Sequence, residues 1–203
     1  MSEQTIEPHD VVQPERFTQE PLGWVPWLAP LPKEEFEQRH WDGVVEPQRA
    51  DMPYFALLAR DPEVLKARTL TDLDIFFNTE GGAPRAEREL AATAASRENG
   101  CVFCASVHSR AASTQSDRVD DVQRLLYEGV TARLDPRWDA VVDASVALTR
   151  IPSAFGPEQI AVLRAQGLDD LEIADVISGA AFFNWANRLM LSLGEPTVPA
   201  RRR

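Results

Sequence analysis

Only two cysteines and three histidines occur among the 203 residues, and no apolar run reaches the roughly 18 residues that a membrane-spanning helix requires. Two cysteines cannot form a disulfide scaffold, so Cys101 and Cys104 serve either chemistry or packing. Basic residues are also scarce. Lys and Arg number 21 against 32 Asp and Glu, a formal net charge of -11 and a pI near 4.8. That balance excludes the concentrated basic surface that a nucleic-acid backbone needs. The stretch Met1 to Asp10 lacks the basic start and apolar core of an export signal. The expectation is a soluble, cytoplasmic protein with no nucleic-acid or membrane partner.

What is present suits one globular domain, with 44% hydrophobic and 26% charged residues. Residues 1–50 are rich in Pro, Glu and Trp, as in the run Pro21 to Pro30. Such frequent prolines prevent a long helix and predict an extended arm. Trp24, Trp27 and Leu28 are expected to pack on a surface of the same or a neighbouring subunit. The first dozen residues, up to Val12, have a composition that favours disorder.

Residues 51–194 read as an all-α bundle. Asp61-Pro62, the loop Gly81 to Pro84, Glu98-Asn99-Gly100, Ser116-Asp117, Asp135-Pro136 and Gly156-Pro157 punctuate apolar stretches of helical spacing. A last long helix is predicted from Asp170 to Leu193, capped by Asp169-Asp170 and ended by Gly194 and Pro196. Residues 195–203 form a tail with Arg201, Arg202 and Arg203 in solvent. A redox half at about 51–134 would precede a non-catalytic half at about 135–194.

The chemistry concentrates at Cys101, Cys104 and His108. At about 100° per residue, Cys104 lies about 60° short of a full turn from Cys101, and His108 about 40° and 20° from the two cysteines, so all three share a face. A thiol at a helix start feels the positive end of the macrodipole, and a neighbouring imidazole can take its proton. Two thiols at this spacing can close a disulfide, one attacking an oxidant and the other resolving the product. Glu89 would lie roughly 18 Å from Cys101 on one straight helix. Reversal of the chain about Glu98-Asn99-Gly100 instead sets Glu89 opposite His108, where a carboxylate can orient the imidazole. The prediction is a relay from Glu89 through His108 to Cys104. Singly, each cysteine reads as inert packing, His108 as a solvated position and Glu89 as a first-turn charge. Zinc bound by the same four residues is the chemical rival, although the distant second ligand pair usual for such a site is missing. Asn184, Asn187 and Arg188 are secondary candidates for the pocket, against a polar patch that satisfies helix ends.

From Arg88-Glu89-Leu90 through His108 the sequence resembles the alkylhydroperoxidase D and carboxymuconolactone decarboxylase-like family, particularly its peroxidase-related members. The shared pattern is a Glu, a Cys twelve residues on, a second Cys three further and a His four beyond that. The likeness extends over about Asp51 to Gly194, including Phe182 to Arg188, and to the Pro/Trp-rich arm. It implies an all-helical fold, a homo-oligomer, and reduction of hydrogen or organic peroxides by the cysteine pair without a cofactor. A dithiol would return the electrons, either a lipoylated protein, as in the best-studied members, or a thioredoxin. Cys104 would then be the peroxidatic thiol and Cys101 the resolving one. Alkylhydroperoxidase D carries an additional histidine between its cysteines, where this chain has Val102 and Phe103. The alternatives are a decarboxylase or lactone-handling activity on the same scaffold, and a redox-responsive binding protein with slow turnover. An internal repeat would set Glu172, Asn184, Asn187 and Leu191 at the offsets of Glu89, Cys101, Cys104 and His108, as a second helical hairpin.

Overall fold

The structure, a computed structural model, describes residues 11–199. Most of the segment expected to be disordered, residues 1–10, and the tail arginines Arg201 to Arg203 lie outside the described residues. Val12 is within them, and its carbonyl accepts a hydrogen bond from Val198 N at 2.8 Å.

The described chain is helical, with one two-stranded sheet. The arm contributes strand β1 (Gly23–Pro26) and helix α1 (Gln38–Val44), and helix α2 (Pro53–Leu58) comes just after it. The bundle follows as α3 (Pro62–Phe77), α4 (Arg85–Glu98), α5 (Val102–Ser116), α6 (Val119–Glu128), α7 (Pro136–Thr149), α8 (Pro157–Ala165) and α9 (Asp170–Leu193), then strand β2 (Gly194–Thr197). Every punctuation read in the sequence marks a helix boundary, and the caps explain why. Asp61 accepts from Val64 N, Asp135 from Arg137 N and Trp138 N, and Asp169 from Glu172 N. Each occupies one of the amides that a helix start leaves without a partner.

Helix α4 is the axis of the fold, with α5, α7 and α9 packed around it. Residues Ala86 to Ser96 are all buried. Alanine makes this possible, because a helix enclosed on all sides needs small side chains for its neighbours to close in. Gly179 of α9 shows how close they come, since a Cβ built there would lie 3.3 Å from the Arg88 carbonyl. One core gathers Leu90, Val122, Leu125, Trp138 and Val141 among α4, α6 and α7. The other joins the arm to α3, α5 and α9 through Trp24, Tyr54, Phe76, both cysteines and Phe183.

Three sequence expectations meet a different structure. The second hairpin does not form. Glu172, Asn184, Asn187 and Leu191 lie on the single helix α9, because no turn interrupts the chain there as Gly100 (φ 80°) does between α4 and α5. The chain after Gly194 is a strand before it is a tail, pairing antiparallel with the arm in the register Gly23 with Thr197 and Pro26 with Gly194. The arm therefore packs on its own subunit over β1. Trp24 is buried and meets Tyr54 edge-on at 5.6 Å, Trp27 is half-buried, and Leu28 is exposed, unlike the expectation for it.

Gly194 is required by contact rather than by dihedral angle. A Cβ there would stand 2.3 Å from the Val25 carbonyl and 2.4 Å from the Trp24 ring. Gly194→Ala is therefore expected to cost about 1–3 kcal/mol by overpacking and to expose Trp24. Thermal unfolding followed by tryptophan fluorescence reads both effects, and an unchanged midpoint with an unchanged emission maximum would contradict this account of the β1–β2 contact.

Candidate active site

Four sequence candidates converge where α4 turns back into α5. The reversal is short. Asn99 ends α4, Gly100 takes a left-handed conformation, and Cys101 is the N-cap of α5. Antiparallel packing brings Glu89 and His108 to the same level, with Glu89 Oε2 2.6 Å from His108 Nδ1. With Glu89 ionised, Nδ1–H donates to the carboxylate and Nε2 keeps the lone pair. The other oxygen, Oε1, accepts from Arg85 Nε at 3.1 Å. Both carboxylate oxygens are thus engaged by cationic or polarisable donors, as a group only 2% exposed requires. The imidazole is held between rings, 3.9 Å from Phe183 and 5.1 Å from Phe76.

A cavity of about 310 Å³ opens beside this pair. Its walls include Cys104, His108 and Glu89 together with Phe76, Phe103 and Phe183. Cys101 does not line it. Both thiols are free and buried, and their environments differ. Cys101 is held below the ordinary thiol range. The Cys104 thiol bonded to its sulfur does most of this against the cost of burial, with help from the Cys104 amide, Asn187 and the Phe103 amide. Cys104 is pushed well above that range by donating its proton to Cys101, by its own burial and by the charge on Cys101. Of the two thiols Cys101, at the helix start, therefore ionises first, and Cys104 keeps its proton in the hydrogen bond to it.

Asn184, Asn187 and Arg188 do not line the cavity. Asn187 is fully buried beside the cysteines, donating to Ser96 Oγ at 3.0 Å and accepting from Asn99 Nδ2 at 3.1 Å. Asn99 also donates to Asn184 Oδ1 at 2.8 Å, whereas Arg188 is exposed. The amides thus tie the α4–α5 turn to α9 and leave the second Asn187 N–H to the thiols. Among the described residues no three His, Cys, Asp or Glu side chains form a metal-ligand cluster, and no helix is long and apolar enough to cross a membrane.

Sequence reasoning missed Arg85, Arg68, Tyr54, Phe76 and Phe183 as parts of this site. Arg85 had a visible signal, lying four residues before Glu89 on the same helix face. The others come from α2, α3 and α9, and no spacing within the cysteine segment points to them.

Residues 62–147 match the carboxymuconolactone decarboxylase family. No curated relative matches the chain. Solved structures do. An uncharacterized peroxidase-related protein from Silicibacter sp. TM1040 is 24% identical, with 95% of this chain and 95% of that one covered and a TM-score of 0.65. The alkylhydroperoxidase AhpD core of an uncharacterized peroxidase-related protein from Ralstonia eutropha JMP134 is 22% identical, over 80% and 84%, with a TM-score of 0.63. The debrominase Bmp8 is 17% identical, over 81% and 88%, with a TM-score of 0.63. At such identities the structural likeness speaks for the fold. Together with the matched segment, it gives the chain the all-helical fold of the alkylhydroperoxidase AhpD core.

The unequal thiols have a direct readout. Titration of reduced protein by thiolate ultraviolet absorbance is expected to give one ionisation below the ordinary thiol value of about 8.5 and a second well above it. Cys104→Ala removes the largest stabiliser of the Cys101 thiolate, so the first ionisation moves to higher pH. Two coincident steps in the parent protein would contradict the assignment.

Proposed function

We propose that the protein is a cysteine-based peroxidase that reduces hydrogen or organic peroxides at Cys104 and closes a Cys101–Cys104 disulfide in each cycle. The observation that carries the reading is the buried contact of Glu89 with His108 on the wall of the cavity that Cys104 also lines. The likeness of residues 62–147 to the carboxymuconolactone decarboxylase family and the peroxidase-related structural neighbours support the same general role.

His108, oriented by Glu89, takes the Cys104 proton when a peroxide occupies the cavity. The Cys104 thiolate then attacks the terminal peroxide oxygen. An S–O bond forms, the O–O bond breaks, and the alkoxide leaves as alcohol by recovering the proton from His108. Sulfur is oxidised to sulfenic acid and the peroxide is reduced. Cys101, the thiol that ionises more readily, attacks the Cys104 sulfur as thiolate and expels hydroxide, which leaves as water after protonation. An external dithiol, a lipoylated protein or a thioredoxin, reduces the disulfide by exchange and is itself oxidised. A homo-oligomer remains part of the proposal.

A second reading comes from the ring-lined cavity and from the debrominase Bmp8, a cysteine-to-alanine variant of which was solved in complex with 2,3,4-tribromopyrrole. The same thiol pair could supply two electrons to an aryl halide, releasing halide as the disulfide forms.

Peroxide consumption with a panel of dithiol donors tests the first reading. Turnover is expected in the parent protein, with its loss in Cys104→Ser and a fall of roughly a hundredfold in kcat/KM for Glu89→Gln, the scale of a misplaced general base. Peroxide consumed by Cys104→Ser at the parent rate would refute it. Halide release from bromopyrroles without peroxide turnover would transfer the site to the second reading.

A further inference from the structure

Among the described residues, seven buried side-chain nitrogen or oxygen atoms have no hydrogen-bond partner, and four of them belong to the cavity walls. They are Arg49 Nη1, Tyr54 OH, Arg68 Nε and Arg68 Nη1. Buried donors of this kind are normally satisfied, so several left open around one cavity point to an acceptor that occupies it. Arg68 and Tyr54 are only 9% and 7% exposed.

The charges define the acceptor. Arg68 pairs with Asp72, Nη1 to Oδ2 at 3.3 Å, and Arg49 pairs with Glu46 at 2.5 Å and with Asp72 at 3.8 Å. Two cations thus face two carboxylates. The subsite offers N–H and O–H donors with little net charge, which suits the oxygens of a neutral molecule better than a carboxylate. The guanidinium of Arg68 is clamped between the rings of Phe55 and Phe182, each 5.3 Å from its carbon, so its donors are fixed in direction. Tyr54 is fixed by Trp24 at 5.6 Å and Phe55 at 5.3 Å.

We infer that Tyr54 and Arg68 are catalytic residues that hold the peroxide oxygens in the cavity and donate hydrogen bonds to the leaving oxygen as the O–O bond breaks. The inference rests on the peroxidase reading and adds its electrophilic side. Glu89 and His108 manage the thiol proton. Tyr54 and Arg68 stabilise charge that develops on the departing alkoxide, the use of pre-set donors in a dry site that lowers a barrier most. Burial above all keeps Tyr54 protonated, since it raises the phenol beyond its ordinary range although Arg68 opposes the shift. Arg68 also faces the Cys104 sulfur with positive charge, which favours its thiolate.

The test is single-turnover oxidation of reduced protein by peroxides that differ in leaving group. Cumene hydroperoxide must expel a basic alkoxide, and peracetic acid expels a carboxylate that needs no donor. Tyr54→Phe and Arg68→Lys are expected to slow oxidation by cumene hydroperoxide by on the order of a hundredfold. Oxidation by peracetic acid and alkylation of Cys104 by iodoacetamide are expected to change only a few-fold. Far-ultraviolet circular dichroism and thermal midpoints of both variants identify any loss of fold, and Arg68→Lys keeps the charge at the site if Tyr54→Phe disturbs packing against Trp24. Equal slowing of all three reactions in a folded variant would reduce Tyr54 and Arg68 to structural roles and overturn the inference. So would unchanged rates with cumene hydroperoxide. A parent protein that neither consumes peroxide nor forms sulfenic acid would instead overturn the peroxidase reading itself.

Discussion

A carboxylate buried between two helices sets the terms for this fold. Glu89 is almost wholly removed from solvent in the middle of α4, where an uncompensated charge would be strongly destabilising. The structure answers with two partners at fixed distance, Arg85 one turn away and His108 across the hairpin. The second partner is available only if α5 runs antiparallel to α4 in one register. A slip of one residue would turn His108 by about 100° away from the carboxylate. The Glu89–His108 contact therefore fixes the register of the hairpin, and the register fixes where the cysteines stand.

The consequence is a pair of thiols with different surroundings. Cys101 sits at the helix start among N–H donors, and Cys104, one turn on, faces an apolar cavity. A single proton shared between two such positions goes to the less polar side, which is what the opposite displacements of the two thiols express. In the proposed cycle this polarity is useful at the second step rather than the first. Cys104 must be deprotonated by His108 before it can attack, while Cys101, which meets the sulfenic acid, is the thiol that ionises more readily. Asn187 links this polarity to the bundle, since one amide group bonds to Ser96 on α4, to Asn99 at the turn and to the thiol pair.

Much of the scaffold was legible in the sequence because helix boundaries depend on local chemistry. Asp61, Asp135 and Asp169 cap from the positions where their side chains reach the next free amides, and Gly100 reverses the chain because glycine accepts a positive φ without cost. The Glu89–His108 contact was legible for the same reason, as two helices joined by a short turn leave little freedom of register. What escaped the sequence depends on long-range packing. Arg68 resembles any helix-surface arginine until Phe55 and Phe182 enclose it, and Tyr54 any apolar-face tyrosine until Trp24 covers it. The strand after Gly194 was hidden too, because a four-residue pairing with an arm some 170 residues earlier leaves no periodic trace. The apparent repeat in α9 shows the converse hazard, as offsets of twelve and three residues arise readily in a helix and imply no hairpin.

The arm connects the C-terminal end of α9 to the cavity. Strand β1 is held by β2, and the absence of a side chain at Gly194 lets the Trp24 ring lie against the β2 backbone. The other side of Trp24 presses on Tyr54, a wall of the cavity, so the C-terminal end of α9, the arm and the cavity form one packed unit. A residue that must keep an open hydroxyl beside an apolar cavity cannot be fixed by donating its own hydrogen bond, because that would consume the donor. Ring packing fixes Tyr54 while leaving its O–H free, and Arg68 is fixed by the Phe55 and Phe182 rings together with Asp72. Aromatic contacts thus carry most of the positioning of both groups, and the Tyr54 hydroxyl and Arg68 Nε keep no hydrogen-bond partner of their own.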